Sequence, residues 1–124
     1  MAFRRLWLIL ALALVPPLFA SPAPAATEPR QFVVVYVELL PADTIRGAQK
    51  LEQLAGLAQK AAGFIRFDVN QQIGRPNFFS LVEVWRNATA YQNFLAAART
   101  KTVLNALDRL LEAPLDERPG NLVE

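Results

Sequence analysis

The chain of 124 residues contains no cysteine and no histidine. The first absence excludes disulfides, a thiolate nucleophile and a cysteine-linked lipid anchor, so stability must come from a packed core and from association. The second excludes an imidazole base, a histidine metal ligand and a histidine-ligated haem. With both missing, a transition-metal site would have to be all-oxygen, and no Asp/Glu cluster has the spacing for one. Nor is there a glycine-rich loop of the kind that cradles the phosphates of a nucleotide or flavin. No metal and no other cofactor is expected. Basic residues number 13 against 11 acidic, but they stand one at a time rather than in a run or stripe, so nucleic acid is not an expected partner. A membrane-length apolar run is missing too: Leu6 to Val15 spans ten residues before Pro16-Pro17 interrupts it, against on the order of 20 for a crossing helix.

That N-terminal segment has the pattern of a cleaved secretory signal. Arg4 and Arg5 form a positive start, Leu6 to Val15 an apolar middle, and Ala23-Pro24-Ala25 places small residues where a signal peptidase reads. Cleavage is expected between Ala25 and Ala26, with residues 26–30 a short linker and 31–124 a single domain. The protein is then expected in the periplasm or outside the cell, with no stable membrane anchor. Without Arg4 and Arg5 the basic and acidic counts are equal at 11, so the basic excess of the whole chain argues neither for nucleic acid nor for a membrane surface.

From Gln31 to Leu40 the chain is β-branched and aromatic, a strand with Phe32, Val34, Tyr36 and Glu38 on one face and Val33, Val35, Val37 and Leu39 on the other. Pro41 ends it, and Asp43 or Thr44 can cap the next element. Between Ile45 and Ala62 the apolar positions Ala48, Leu51, Leu54, Ala55, Ala58 and Ala61 recur at threes and fours, which predicts an amphipathic helix terminated by Gly63. Phe64 to Ile73 alternates, with Ile65, Phe67, Val69 and Ile73 on one side. Gly74-Arg75-Pro76-Asn77 then predicts a hairpin turn into a strand from Asn77 to Arg86. Asn87 is a good N-cap for a helix bearing Tyr91, Phe94, Leu95 and Ala98, and Thr100 or Thr102 can start another bearing Val103, Leu104, Leu107, Leu110 and Leu111. Pro114 stops it. Leu115 to Val123 has room for one short strand, and Pro119 with Gly120 keeps that strand from the centre of a sheet.

The order β-α-β-β-α-β is a ferredoxin-like α+β arrangement, one antiparallel sheet with helices on a single face. The other face carries Phe78, Val82 and Val84 from the fourth segment, which together would form an exposed apolar patch. A homodimer closing two sheets against each other would cover it. On the opposite face of the same strand, Glu83 and Trp85 lie two residues apart among Phe79 and Leu81. An ionisable group in an apolar row is either a satisfied structural carboxylate, paired with Arg66 or with a backbone N–H, or part of a pocket.

Gly63-Phe-Ile-Arg-Phe-Asp-Val69, Ile73-Gly-Arg-Pro-Asn77, Leu81-Val-Glu-Val-Trp-Arg-Asn87 with Ala90-Tyr91, and Leu110-Leu111 with Asp116-Glu117-Arg118 resemble the antibiotic biosynthesis monooxygenase (ABM) family. The resemblance runs from about Phe32 to Arg118. It implies a dimeric α/β barrel with a ligand cavity between sheet and helices. Many similar members carry histidines in the helix after the Trp strand and near the C-terminal arm; the corresponding positions here are Phe94, Arg99 and Gly120.

Cofactor-independent chemistry of quinol-oxidising relatives remains compatible with a chain lacking histidine. There an electron-rich phenol or quinol is deprotonated and itself reduces O2, while the protein binds, orients and excludes water. For such chemistry, their position on the strand face makes Trp85 and Glu83 the candidate catalytic residues. Trp85 could stack on the substrate or donate its indole N–H to an oxyanion, and Glu83 could act as base if burial raised its pKa. Tyr36, Tyr91, Asn93, Phe94 and Arg99 are the candidate substrate-binding residues. Each also has a structural reading, Trp85, Tyr91 and Phe94 as core, Arg99 as a solvated helix end, and Asp116-Glu117-Arg118 as a salt-bridged arm or dimer contact. Two functions are compatible with these residues: an exported monooxygenase acting on a small aromatic molecule and O2, or a non-catalytic ligand-binding or stress-associated dimer that kept the fold and lost the histidines.

Overall fold

The computed structural model describes residues 28–123; the expected signal segment and its cleavage site lie outside them. Four strands and three helices run in chain order as β1 (Gln31–Glu38), α1 (Thr44–Gln59), β2 (Phe64–Gln71), β3 (Phe78–Trp85), α2 (Ala88–Ala96), α3 (Ala98–Asp108) and β4 (Asp116–Asn121). The strands form one sheet in the order β2-β3-β1-β4, every pair antiparallel. This is the ferredoxin-like α+β fold expected from the element order. No helix among the described residues is long and apolar enough to cross a membrane.

Strand register decides which side chains reach the helices. Glu83 of β3 stands between Val33 of β1 and Phe67 of β2, and Leu81 between Val35 and Val69. The odd-numbered residues of β1 and β3 therefore share the helix-facing side, where Val33, Val35, Val37, Phe79, Leu81 and Trp85 are buried. Leu51, Leu54 and Ala58 of α1, Tyr91 and Phe94 of α2 and Leu107 of α3 close over them. Gly47 belongs to the same seam, because a Cβ there would run into the Leu39 side chain.

Several boundaries differ from the sequence reading. A single 3-10 turn, Pro41–Asp43, precedes α1, and Asp43 sits at the N-cap without capping: its carboxylate pairs with Arg46 instead. Helix α1 ends at Gln59 rather than Ala62. Gly63, at φ 80°, makes the turn into β2, and a Cβ on it would lie 2.5 Å from that of Ala90. A β-bulge between Phe64 and Arg66 then breaks the expected alternation, leaving Ile65 41 % exposed and setting Phe64 against Trp85. Ile73, expected on the core side of the strand, is 98 % exposed in the hairpin turn beyond Gln71. Asn87 caps α2 as expected, its side chain accepting from the Ala90 amide at 2.8 Å. Helix α3 starts earlier than Thr100, directly after the extended residue Ala97.

The outer face of the sheet carries Phe32, Val34, Tyr36, Phe78, Val82 and Val84, with no helix over it; Tyr36 is exposed and four of the others half-buried, but Val84, expected in the exposed patch, is buried. Strand β4 is an edge strand, where Pro119 can do without an amide proton.

Candidate functional site

Glu83 is only 4 % exposed, although its residue type favours water. Its immediate partner is its neighbour on the same strand face: the Trp85 indole Nε1–H donates to Glu83 Oε1 at 3.0 Å. The expected pairing with Arg66 does not occur. The register sets Arg66 opposite Val84 on the outer face, where it pairs with Asp68. One neutral hydrogen bond cannot replace the lost hydration of a carboxylate. Burial pushes the pKa of Glu83 up from 4.5 to about 7, the Trp85 hydrogen bond pulls it back in part, and the nearby charge of Glu117 adds a little to the rise.

Trp85 is fully buried. Phe94 stacks on it at 4.8 Å between ring centroids, Phe64 meets it edge-on at 6.1 Å, and Tyr91 lies tilted at 6.3 Å. Its face is thus already covered by protein. What it offers the site is the N–H that holds the Glu83 carboxyl in place.

Beside Glu83 a small, partly open cavity of about 80 Å³ lies between the sheet and helices α1, α2 and α3, with the exposed residue Glu117 in its wall. Its wall is mostly aliphatic and aromatic, with Phe67, Leu81, Phe94 and Leu107 among the lining side chains, and three polar groups reach it: Glu83, Tyr91 and Glu117. The Tyr91 hydroxyl donates to Glu117 Oε1 at 2.5 Å, tying α2 to β4. Burial, that bond and the two carboxylates all push the phenol's pKa above its ordinary range, so Tyr91 stays protonated. The arrangement can hold or accept a proton at Glu83 near neutral pH in a mostly apolar chamber. Among the described residues no three His, Cys, Asp or Glu side chains converge as metal ligands.

The structure brings Glu83, Tyr91 and Phe94 to this cavity, with Trp85 directly behind. It does not bring Tyr36, which lies on the outer face, 47 % exposed, with the Arg118 guanidinium 5.1 Å over its ring. Asn93 and Arg99 also miss the chamber. They line a separate groove of about 420 Å³ on the helix side, which shares Phe94 with it. Glu117 is the cavity residue that the sequence reading left in the C-terminal arm. A period-2 reading of β4 would have found it. Glu117 stands opposite Val35, on the helix-facing side, whereas Asp116 and Arg118 stand opposite Tyr36 and Val34 and pair with each other at 2.8 Å.

The match to known proteins agrees with this architecture. Residues 30–106 fit the antibiotic biosynthesis monooxygenase family, and the chain belongs to that family. Among solved structures, a variant of SnoaB, a cofactor-independent oxygenase from Streptomyces nogalater, shares 16 % identity at a TM-score of 0.69, covering 77 % of this chain and 94 % of that one. A conserved protein from Methanosarcina mazei gives 16 % identity and a TM-score of 0.71 over 77 % and 94 % of the two chains. Rv0793 from Mycobacterium tuberculosis gives 13 % and 0.72 over 77 % and 96 %. At these identities the likeness is one of fold. No match is found among curated proteins.

Proposed function

We propose that the protein is a cofactor-independent monooxygenase acting on a small quinol- or phenol-type aromatic, with Glu83 as the base. The observation that carries this reading is a buried carboxyl with a pKa near 7 beside an apolar cavity, since a general base works best when its pKa lies near the working pH. Deprotonating a phenol raises its electron density enough for it to reduce O2 directly. For a hydroquinone the balance closes without another reagent: one oxygen atom enters the ring, the other leaves as water, and the substrate, becoming a hydroxyquinone, supplies all four electrons. The protein's part is to take the phenolic proton at Glu83, hold the ring and keep bulk water out. Family membership and the cofactor-independent oxygenase SnoaB support the reaction class. The signal-like N-terminus supports export, and the uncovered apolar face of the sheet supports a homodimer, with Tyr36 at its interface.

The size of the cavity favours a second reading. A cavity of about 150 Å³ is what benzene occupies in an engineered apolar core, and the chamber beside Glu83 is about 80 Å³. A ring can enter only if the wall of the chamber moves. If it does not, the protein is a ligand-binding dimer without turnover. Oxygen uptake with a panel of hydroquinones separates the two: saturable uptake supports the oxygenase, and none above background in folded protein overturns it.

A further inference from the structure

Two grooves meet where the end of α1 faces the start of α3, with volumes of about 520 and 420 Å³. Both lie within the size range of small-molecule sites. They share Leu57, Lys60 and Arg99. Lys60 is the residue capping the C-terminus of α1, and Arg99 is the second residue of α3, so two cations from different helices border one depression. No carboxylate lines either groove, and neither cation belongs to an ion pair among the described residues. Arg46, Arg66 and Arg118 each have an Asp partner, and Lys50 and Arg109, which have none among the described residues, border a groove that Asp43 also lines. Apart from the two charges, Asn93 and Thr100, the second groove is apolar, with Leu57, Ala61, Ala97 and the ring of Phe94 in its wall. That ring is also a wall of the chamber holding Glu83, and it stacks on Trp85.

We infer that this junction is a binding site for a small planar aromatic carboxylate. The ring lies on Leu57 and Phe94, with Ala61 and Ala97 leaving room beside it, and the carboxylate sits between Lys60 and Arg99. Two cations without a protein counter-charge select an anion, and a guanidinium offers a carboxylate two parallel hydrogen bonds. An apolar floor ending in an aromatic ring selects a planar hydrophobic body. The site deepens the oxygenase reading and rests on it only for the step after binding: a displacement of Phe94 would bring the bound ring to Glu83, so the preferred quinols carry a carboxylate.

The test measures binding apart from turnover. Equilibrium dialysis of the full chain at low ionic strength compares 2-naphthoate with 2-naphthalenemethanol, which share a ring system and differ in charge. The expected preference for 2-naphthoate is about tenfold, the scale of two partly exposed charge contacts. In the Lys60→Gln/Arg99→Gln double variant the two ligands bind equally. Lys101→Gln, an exposed cation outside both grooves, leaves the preference intact. Equal affinity in the unsubstituted protein, no binding of 2-naphthoate, or a preference that survives the double substitution overturns the inference. Preferential binding of naphthoate with no oxygen uptake on any quinol keeps the site and refutes the oxygenase. Uptake on quinols with no preference for a carboxylate does the reverse.

Discussion

Replacing Glu83 by Gln tests the strain of burying its carboxyl through stability alone, whatever the protein's activity. Each tenfold change in proton affinity is worth about 1.4 kcal/mol, so a rise from 4.5 to about 7 corresponds to about 3 kcal/mol. The sign depends on which state holds the proton. Between pH 4.5 and 7 the unfolded chain has released it while the folded chain keeps it, so stability falls as the pH rises across that window and levels off above about pH 7. The groups facing Glu83 do not reverse this: Trp85 carries no titrating charge, Tyr91 stays protonated, and the charge of Glu117 pushes in the same direction. Asp116 is held below the usual carboxylate range by Arg118 and acts only at more acid pH. Gln cannot ionise, so the variant lacks this slope. It loses about 1 kcal/mol at about pH 4, where its amide has no matched acceptor, and gains on the unsubstituted protein by about pH 8. Urea unfolding of both proteins from about pH 4 to 8 reads the difference, which should change by about 3 kcal/mol across the range. Parallel pH profiles would refute the assignment of a raised pKa to Glu83.

Other consequences can be measured independently. Trp85→Phe removes the N–H that lowers the Glu83 pKa, so the midpoint of the pH-dependent stability moves to more alkaline pH, and the unpartnered carboxyl costs about 1–3 kcal/mol; an unmoved midpoint would show that the indole bond does not tune the acid. Gly63→Ala places a methyl against Ala90 at a positive φ and should destabilise by about 1–3 kcal/mol in thermal or urea unfolding, whereas a neutral effect would mean the turn relaxes freely. Val82→Asp puts a charge in the middle of the outer sheet face and should convert a dimer to monomer in light scattering on a size-exclusion column; a monomer before substitution removes the dimer.

The fold was legible because its elements obey clean periods. Alternation in Gln31–Glu38 and Phe78–Trp85 set the two faces of the central strands, and the recurrence through Leu51, Leu54 and Ala58 set the buried side of α1. Legibility failed where a local irregularity changed the period. The bulge between Phe64 and Arg66 flipped only the start of β2, so Ile65 turned outward, whereas Arg66 is out of phase with Phe67 and Val69 with or without it and so faces away from Glu83. The same limit applies to the site. Glu83, Tyr91 and Phe94 converge because strand and helix phases predict it, but Tyr36 was grouped with them although its parity on β1 puts it on the other face. Glu117 escaped notice because three adjacent charges look like a solvated arm until β4 is paired with β1 and splits them between two faces. Lys60 could not be joined to Arg99 from the sequence, since their meeting depends on how α1 packs against α3.

If a buried carboxyl near neutrality serves a reaction with O2, oxygen consumption by the folded protein with hydroquinones, measured from about pH 5 to 9, reads it out directly. Saturable uptake is expected, with kcat/KM rising through a midpoint near pH 7, the value to which burial brings Glu83, and Glu83→Gln should abolish it without unfolding the chain. Uptake no faster than the uncatalysed oxidation, or uptake that Glu83→Gln leaves unchanged, would contradict a catalytic role for this carboxyl.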